Sequence, residues 1–265
     1  MIDNQGTRAH PLGMPTTLKL VEKVEPELDL ESLNRRLADA PPEAILEWAR
    51  ETFGNRLVLT SSFGAESAVM LHLASRVIPS APVIFLDTGY LFPETYQFAE
   101  ELKARLNLDL RVYAPKMTAA RQEALYGRLW EGDDRDLALY QQMNKVEPMD
   151  RALEELGAKA WVAGLRGKQT SFRAGLRPIE LQGSVYKVHP IIGWDEEQVH
   201  RYLRVNDLPY HPLYRRGYRS IGDVHSTVPV AEGEDARAGR RLGSHNECGI
   251  HLPRQADSSL KSSGL

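Results

Sequence analysis

The sequence predicts an α/β domain with a mainly parallel sheet, helices on both faces, and a mobile C-terminal arm. Three observations point to this. Short β-branched and leucine-rich runs alternate with longer stretches of helical apolar spacing. Apolar residues make up 42% of 265 residues, enough for a sizeable core. After "LPYHPLYRRGYRSIGD" the periodicity fades into Gly-, Arg- and acid-rich text.

The elements follow in order. Residues 1–30, beginning "MIDNQGTRAHPLGMP", lack an apolar signal core and read as a flexible leader. "DLESLNRRLADAPPEAILEWARETF" holds two helices, the second starting at Pro41–Pro42. A strand is expected over Arg56–Ser62 and a helix over "AESAVMLHLASRV". "APVIFLD" is a second strand ending at Asp87, and "PETYQFAEELKARLN" a helix with Pro in its first turn. "LDLRVYA" is a third strand, followed by helices over "MTAARQEALYGRLW" and "EPMDRALEELGA". "AWVAGL" and "VYKVHPII" are later strands, and "WDEEQVHRYLRVND" is a helix. The expected division is a leader at 1–30, an α/β domain at 31–225 and an arm at 226–265.

Several function classes drop out. The net charge of -3 gives no reason to expect nucleic-acid binding. The longest apolar runs are too short to cross a bilayer. One cysteine, Cys248, allows no intramolecular disulfide and no cysteine-ligated metal cluster, and cytoplasmic residence is expected.

Ligands of open parallel sheets sit at the carboxyl ends of the strands. The first strand runs into "TSSFGAES", a small hydroxyl-rich loop whose backbone N–H groups suit an oxyanion at a helix N-terminus. A capping serine at a strand–helix turn is the equal alternative. Asp87 and Thr88 suit a ribose or adenine, or equally an Asx turn with Gly89. "AGLRGKQTSFRAGLRP" places Arg166, Lys168, Arg173 and Arg177 after the fourth strand, and "YRRGYRS" adds Arg215, Arg216 and Arg219. Guanidinium forks suit phosphates. His72 reads as a core-edge residue, and His189 and His211, each before a proline, read as turn positions.

Taken together, "SSFGAESAVMLHL", "DTGYLFPETY", "NKVEPMDRAL", "AGLRGKQTSFRA", "HPIIGWDEEQVHRYL", "YHPLYRRGYRSIGD" and "ECGIH" resemble the phosphoadenosine phosphosulfate (PAPS) reductase family, in order, from about Leu57 to His251. The resemblance implies an adenine nucleotide α-hydrolase-like (PP-loop) sheet and a homodimer. It implies catalytic roles for Cys248, His251 and Tyr218. It implies substrate contacts from Ser61, Ser62, Phe63, Gly64 and Ser67, and from Asp87, Thr88 and Gly89. Lys145, Arg166, Gln169, Arg173, Arg240 and Arg241 complete the implied set. Relatives that use adenosine phosphosulfate (APS) carry a four-iron cluster on paired cysteines. Here those places read "LYQQMNKVEP" and "IGDVHST", with Asp223 and Ser226 at the second pair, so no iron–sulfur cluster is expected.

The lone thiol fits this chemistry. A thiolate is a strong nucleophile. Its attack on the phosphosulfate sulfur would leave an S-sulfonate on Cys248 and release adenosine 3′,5′-bisphosphate. With no second cysteine in the chain, reduced thioredoxin or glutaredoxin must release sulfite by thiol exchange. His251 and Arg240 or Arg241 are candidates to stabilise the charge, and Glu247 either opposes a thiolate unless it points away or serves as a contact for the reductant. No bound cofactor is expected. The alternatives are a cluster-free APS reductase, a nucleotide-binding redox sensor, and an adenylating enzyme of the ATP-pyrophosphatase type. The last usually carries S-G-G-x-D-S in its first loop, where this chain has Phe63 for a Gly and Glu66 for the Asp.

Overall fold

The computed structural model of the protein describes residues 28–231, 233–240, 247 and 249–251. Most of the expected leader, Arg241, Cys248 and residues 252–265 lie outside the described residues.

Two helices lead into the sheet. α1 (Leu30–Leu37) starts at Asp29, whose side chain accepts from the Ser32 N–H at 3.1 Å. α2 (Pro42–Phe53) starts on its proline, whose fixed φ suits a first helical turn. Then come β1 (Leu57–Thr60), α3 (Ala68–Val77), β2 (Val83–Leu86), α4 (Pro93–Leu106) and β3 (Leu110–Tyr113). α5 (Ala119–Tyr126), α6 (Asp134–Gln141) and α7 (Glu147–Glu155) lead to β4 (Ala160–Ala163). The one-turn α8 (Ser171–Ala174), β5 (Ile179–Gln182), β6 (Val185–Val188) and α9 (Glu196–Val205) follow. α9 opens on a reciprocal cap between Asp195 and Gln198.

The strand order is β3-β2-β1-β4-β6-β5. All neighbours pair in parallel except β5 with β6. β1, β2 and β4 are buried on both faces, which explains their unbroken apolar text. Alternate residues feed two cores. Leu57, Leu59, Val83, Phe85, Ala160 and Val162 pack with α2, α3, α4 and α9. Val58, Ile84, Trp161 and Ala163 pack with Met149, Ala152 and Leu153 of α7. The order of chain crossings reverses between β1 and β4, which opens a crevice beyond their carboxyl ends.

The structure corrects the expectations in five places. The helix expected from Ala65 begins at Ala68, because Ala65–Ser67 form a turn. The helix expected through Trp130 stops at Tyr126, where Gly127 takes φ +71°. β5 was not expected; its four residues pair through a tight turn in which Gly183 takes φ +62°, a conformation that favours glycine. α6 was not expected either. Its charged text masks a helix that Asp133 caps through the Arg135 and Asp136 N–H groups, and it runs through a π turn at Gln142–Val146 into α7. The arm boundary after residue 225 falls inside a 3-10 turn, Val224–Ser226. Ser226 and Thr227 are buried and Thr227 bridges Arg240, so described residues on both sides of position 225 pack together.

His189 and His211 precede prolines as expected, but both are buried and structural. His189 Nδ1 donates to the Arg177 carbonyl at 2.9 Å. The Leu213 N–H donates to His211 Nδ1 at 3.1 Å, which leaves the ring proton on Nε2, 3.1 Å from the Thr95 hydroxyl. Burial pushes both pKa values down from 6.5 to about 4. The unfolded chain therefore takes up these protons first. Stability from each ring is full above about pH 6.5 and is lost as pH falls towards 4, with a slope approaching ~1.4 kcal/mol per pH unit. Urea midpoints measured from pH 7 to 4 are expected to fall steadily across that window. A flat profile would contradict neutral burial.

Candidate active site

The cavity at the crevice encloses about 270 Å³. Its walls come from the ends of β1, β2 and β4, the Ser61–Ser67 loop, the segment Arg166–Arg173, residues 219–223, and Ile250 and His251.

The first loop is held in an unusual shape. Phe63, not Gly64, takes the left-handed conformation, at φ 47°. Its ring is fully buried and packs edge-on against Phe85 at 4.9 Å, which anchors a conformation that phenylalanine rarely adopts. The Phe63 N–H donates to Ser61 Oγ at 3.1 Å. A Cβ on Gly64 would meet its neighbours at 3.5 Å, an ordinary contact. The alternatives left open for the serine now separate. Ser67 does not cap α3 with its side chain, and its Oγ is buried without a hydrogen-bond partner among the described residues. The loop thus directs a helix N-terminus and an unused hydroxyl at the cavity.

At the second strand tip the Asx turn forms. The Gly89 N–H, at φ +77°, donates to Asp87 Oδ1 at 2.9 Å, and Tyr96 Oη donates to the same oxygen at 2.6 Å. Thr88 is buried and lines the cavity, and its hydroxyl donates to Asp223 Oδ1 at 2.6 Å. Asp87 and Gly89 do not line it.

Three carboxylates hold the cavity's cations. Arg166 Nη2 donates to Glu66 Oε2 at 2.5 Å, and Glu66 Oε1 lies 3.1 Å from His200 Nε2. Lys145 Nζ donates to Asp223 Oδ2 at 2.6 Å, with side chains only 9% and 1% exposed. Burial pushes the Asp223 carboxyl up, but the Lys145 ammonium and the Thr88 hydroxyl outweigh it and hold the pKa down at about 2. Arg173 Nε and Nη2 donate to Glu247 at 2.8 and 2.7 Å.

The implied site residues divide accordingly. Ser61, Ser62, Gly64, Ser67, Thr88, Lys145, Arg166, Gln169, Arg173, Arg240 and His251 line one cavity. Phe63 supports it from beneath. Tyr218 packs edge-on against Phe92 at 5.5 Å in a small separate cluster and does not line the cavity. Lys168 and Arg177 pair with Asp195 and Glu31 on the surface. His251 stacks flat on Trp161 at 5.5 Å, and its Nδ1 is buried without a partner among the described residues. Burial and the neighbouring cations Lys187 and Arg173 push its pKa well below 6.5, so the ring is neutral at pH 7.

Sequence reasoning gave no site role to Glu66, Asp223 or Arg237, and named Arg219 only within a basic run. Asp223 carried the clearest signal, since it stands where relatives place a cluster cysteine. Tyr140 and His225, from the same two stretches, meet at 3.0 Å, and His225 stacks on Trp130 at 4.1 Å.

The profile described as "Phosphoadenosine phosphosulfate reductase domain" matches residues 56–229. The chain belongs to the phosphoadenosine phosphosulfate reductase family. It is an oxidoreductase of the kind acting on sulfur groups. A phosphoadenosine 5′-phosphosulfate reductase from Synechocystis sp. is 51% identical over 90% of this chain and 98% of its own length. One from Vibrio cholerae is 45% identical over 90% of this chain and 95% of its own. The crystal structure of a PAPS reductase from Candida auris, a phosphate complex, superposes with a TM-score of 0.66 at 36% identity. It covers 75% of this chain and 96% of that one. A Candida glabrata FMN adenylyltransferase shares the nucleotide α-hydrolase-like fold, with a TM-score of 0.55 at 19% identity over 80% and 71% of the two chains.

Replacing Asp223 by Asn removes the buried carboxylate that pairs with the Lys145 ammonium at 2.6 Å, and a loss of about 3–5 kcal/mol in unfolding free energy is expected. In the parent protein the Asp223 contribution is present above its ordinary pKa of 3.8 and is lost as pH falls through about 2. Denaturant titration of the variant at pH 7 measures the loss.

Proposed function

We propose that the protein reduces PAPS to sulfite and adenosine 3′,5′-bisphosphate, with reduced thioredoxin or glutaredoxin as electron donor. The observation that carries the reading is one of placement. Ile250 and His251, two and three residues after the only cysteine, line the same cavity as the hydroxyl-rich loop and its helix N-terminus. A nucleotide whose phosphates meet that loop has its anhydride-bound sulfate near the segment that carries Cys248.

The chemistry balances as two displacements. The Cys248 thiolate attacks the sulfur of the phosphosulfate, an S–S bond forms, the S–O bond breaks, and the bisphosphate leaves with the bonding pair. A thiolate of the external dithiol then attacks the Cys248 sulfur and expels sulfite. Its second thiol resolves the mixed disulfide, so the dithiol is oxidised by two electrons as the sulfate sulfur is reduced. The backbone and Ser67 hydroxyl of the loop bind phosphate oxygens. His251, neutral, offers a hydrogen bond without adding charge beside the thiol. Glu66 is committed to Arg166, which leaves the loop poorly suited to the metal–ATP chemistry of adenylating relatives.

Cys248→Ser is expected to abolish sulfite release while leaving nucleotide binding intact. Sulfite assays with PAPS and with APS, each with reduced thioredoxin, test the substrate, and equal rates would overturn the assignment. Ser67→Ala is expected to leave unfolding free energy within about 0.5 kcal/mol of the parent. It is expected to weaken adenosine 3′,5′-bisphosphate binding about tenfold, measured by calorimetry.

A further inference from the structure

Glu247 directly precedes the only cysteine, and its side chain is 0% exposed. Its carboxylate accepts from Arg173 Nε at 2.8 Å, Arg173 Nη2 at 2.7 Å and the Thr170 hydroxyl at 2.9 Å. Arg237 Nη2 stands 3.6 Å away. This is a fork-on-fork pair, the most directional ionic contact a carboxylate makes. Arg173 gives its remaining Nη1 to Gln169 Oε1 at 2.5 Å. Three of its five N–H donors, including the whole Nε/Nη2 edge, are thus engaged by protein acceptors, although it lines the cavity.

The other side of the cysteine is held as well. A Cβ on Gly249 would stand 2.7 Å from Gln141 Oε1 and 3.3 Å from Val146 Cγ2, so the backbone there lies tight against the π turn between α6 and α7. Lys187 Nζ donates to the Ile250 carbonyl at 3.4 Å. Glu247 and Gly249, the described residues on either side of Cys248 in the sequence, are thus both held in place. A buried ion pair is weak as a source of stability but strong in fixing geometry.

We propose that Glu247 and Arg173 are positioning residues for the Cys248 thiol, with Arg173 acting through Glu247 and not as a ligand of the substrate's anionic groups. This rests on the reading of Cys248 as the nucleophile. It gives the acidic residue that precedes the cysteine a role: its charge is taken up by Arg173. One arginine of the basic segment thereby moves from substrate binding to thiol placement.

The test uses Glu247→Gln, Arg173→Gln and the double variant of the full chain. Backbone hydrogen exchange of the peptide spanning 247–251 is expected to speed up at least about tenfold in each single variant. Single-turnover formation of the Cys248 S-sulfonate, followed by mass spectrometry without reductant, is expected to fall about 10- to 100-fold. Adenosine 3′,5′-bisphosphate affinity is expected to change less than about threefold. The double variant is expected to lose no more than either single one, because both break the same contact. Unchanged exchange overturns the anchor whatever the chemistry does. Parent-like adduct formation in loosened variants overturns the positioning role. So does an Arg173→Gln variant that loses nucleotide affinity which Glu247→Gln keeps. A parent protein that forms no adduct refutes the reading of Cys248 instead, and the exchange measurement still decides whether the anchor exists.

Discussion

Charge compensation at one cavity organises this protein. A site for a polyanion needs cations, and cations buried without partners are costly. Glu66, Asp223 and Glu247 answer that cost by pairing with Arg166, Lys145 and Arg173. Each pair also joins segments distant in the chain, so the ion pairs tie the first loop, the α6–α7 turn, the 166–173 segment and the residues flanking the cysteine into one wall. The result is a cavity with directed cations and few mobile ones.

The sheet supplies the frame on which that wall is hung. Reversal of strand order between β1 and β4 leaves their carboxyl ends uncovered. The loop after β1 fills the opening at a cost in backbone strain, because Phe63 sits in the left-handed region. The buried contact with Phe85 compensates for that strain. What the arrangement secures is a helix N-terminus at the cavity, where Ser67 is a lining residue whose buried hydroxyl has no hydrogen-bond partner among the described residues. Rigid loops of this kind bind anions with little ordering cost.

Around the same part of the cavity Lys145 pairs with Asp223, and Trp130 stacks on His225 close to Tyr140 and Tyr90. These contacts perform the cross-linking of α6, α7 and the 223–226 turn by packing and hydrogen bonds.

The sequence by itself determined the class of fold, the strand–helix alternation, the hydroxyl-rich loop and the single cysteine, because these are local patterns of periodicity and residue type. The motif text also carried the family, and the absence of cysteines at the cluster positions needed no coordinates. Tertiary structure decided which charged residues are spent on each other. Arg166, Lys168, Arg173 and Arg177 look alike in the text, yet two face the cavity and two pair on the surface. It also decided that Ser67 does not cap, that Tyr218 stands apart from the cavity, and that β5 exists at all. The charged outcomes depend on partners 27 to 146 residues away, and those for Ser67 and Tyr218 on packing that a local pattern of residue types does not specify; β5 forms by pairing with β6 just after it and then joins the sheet edge.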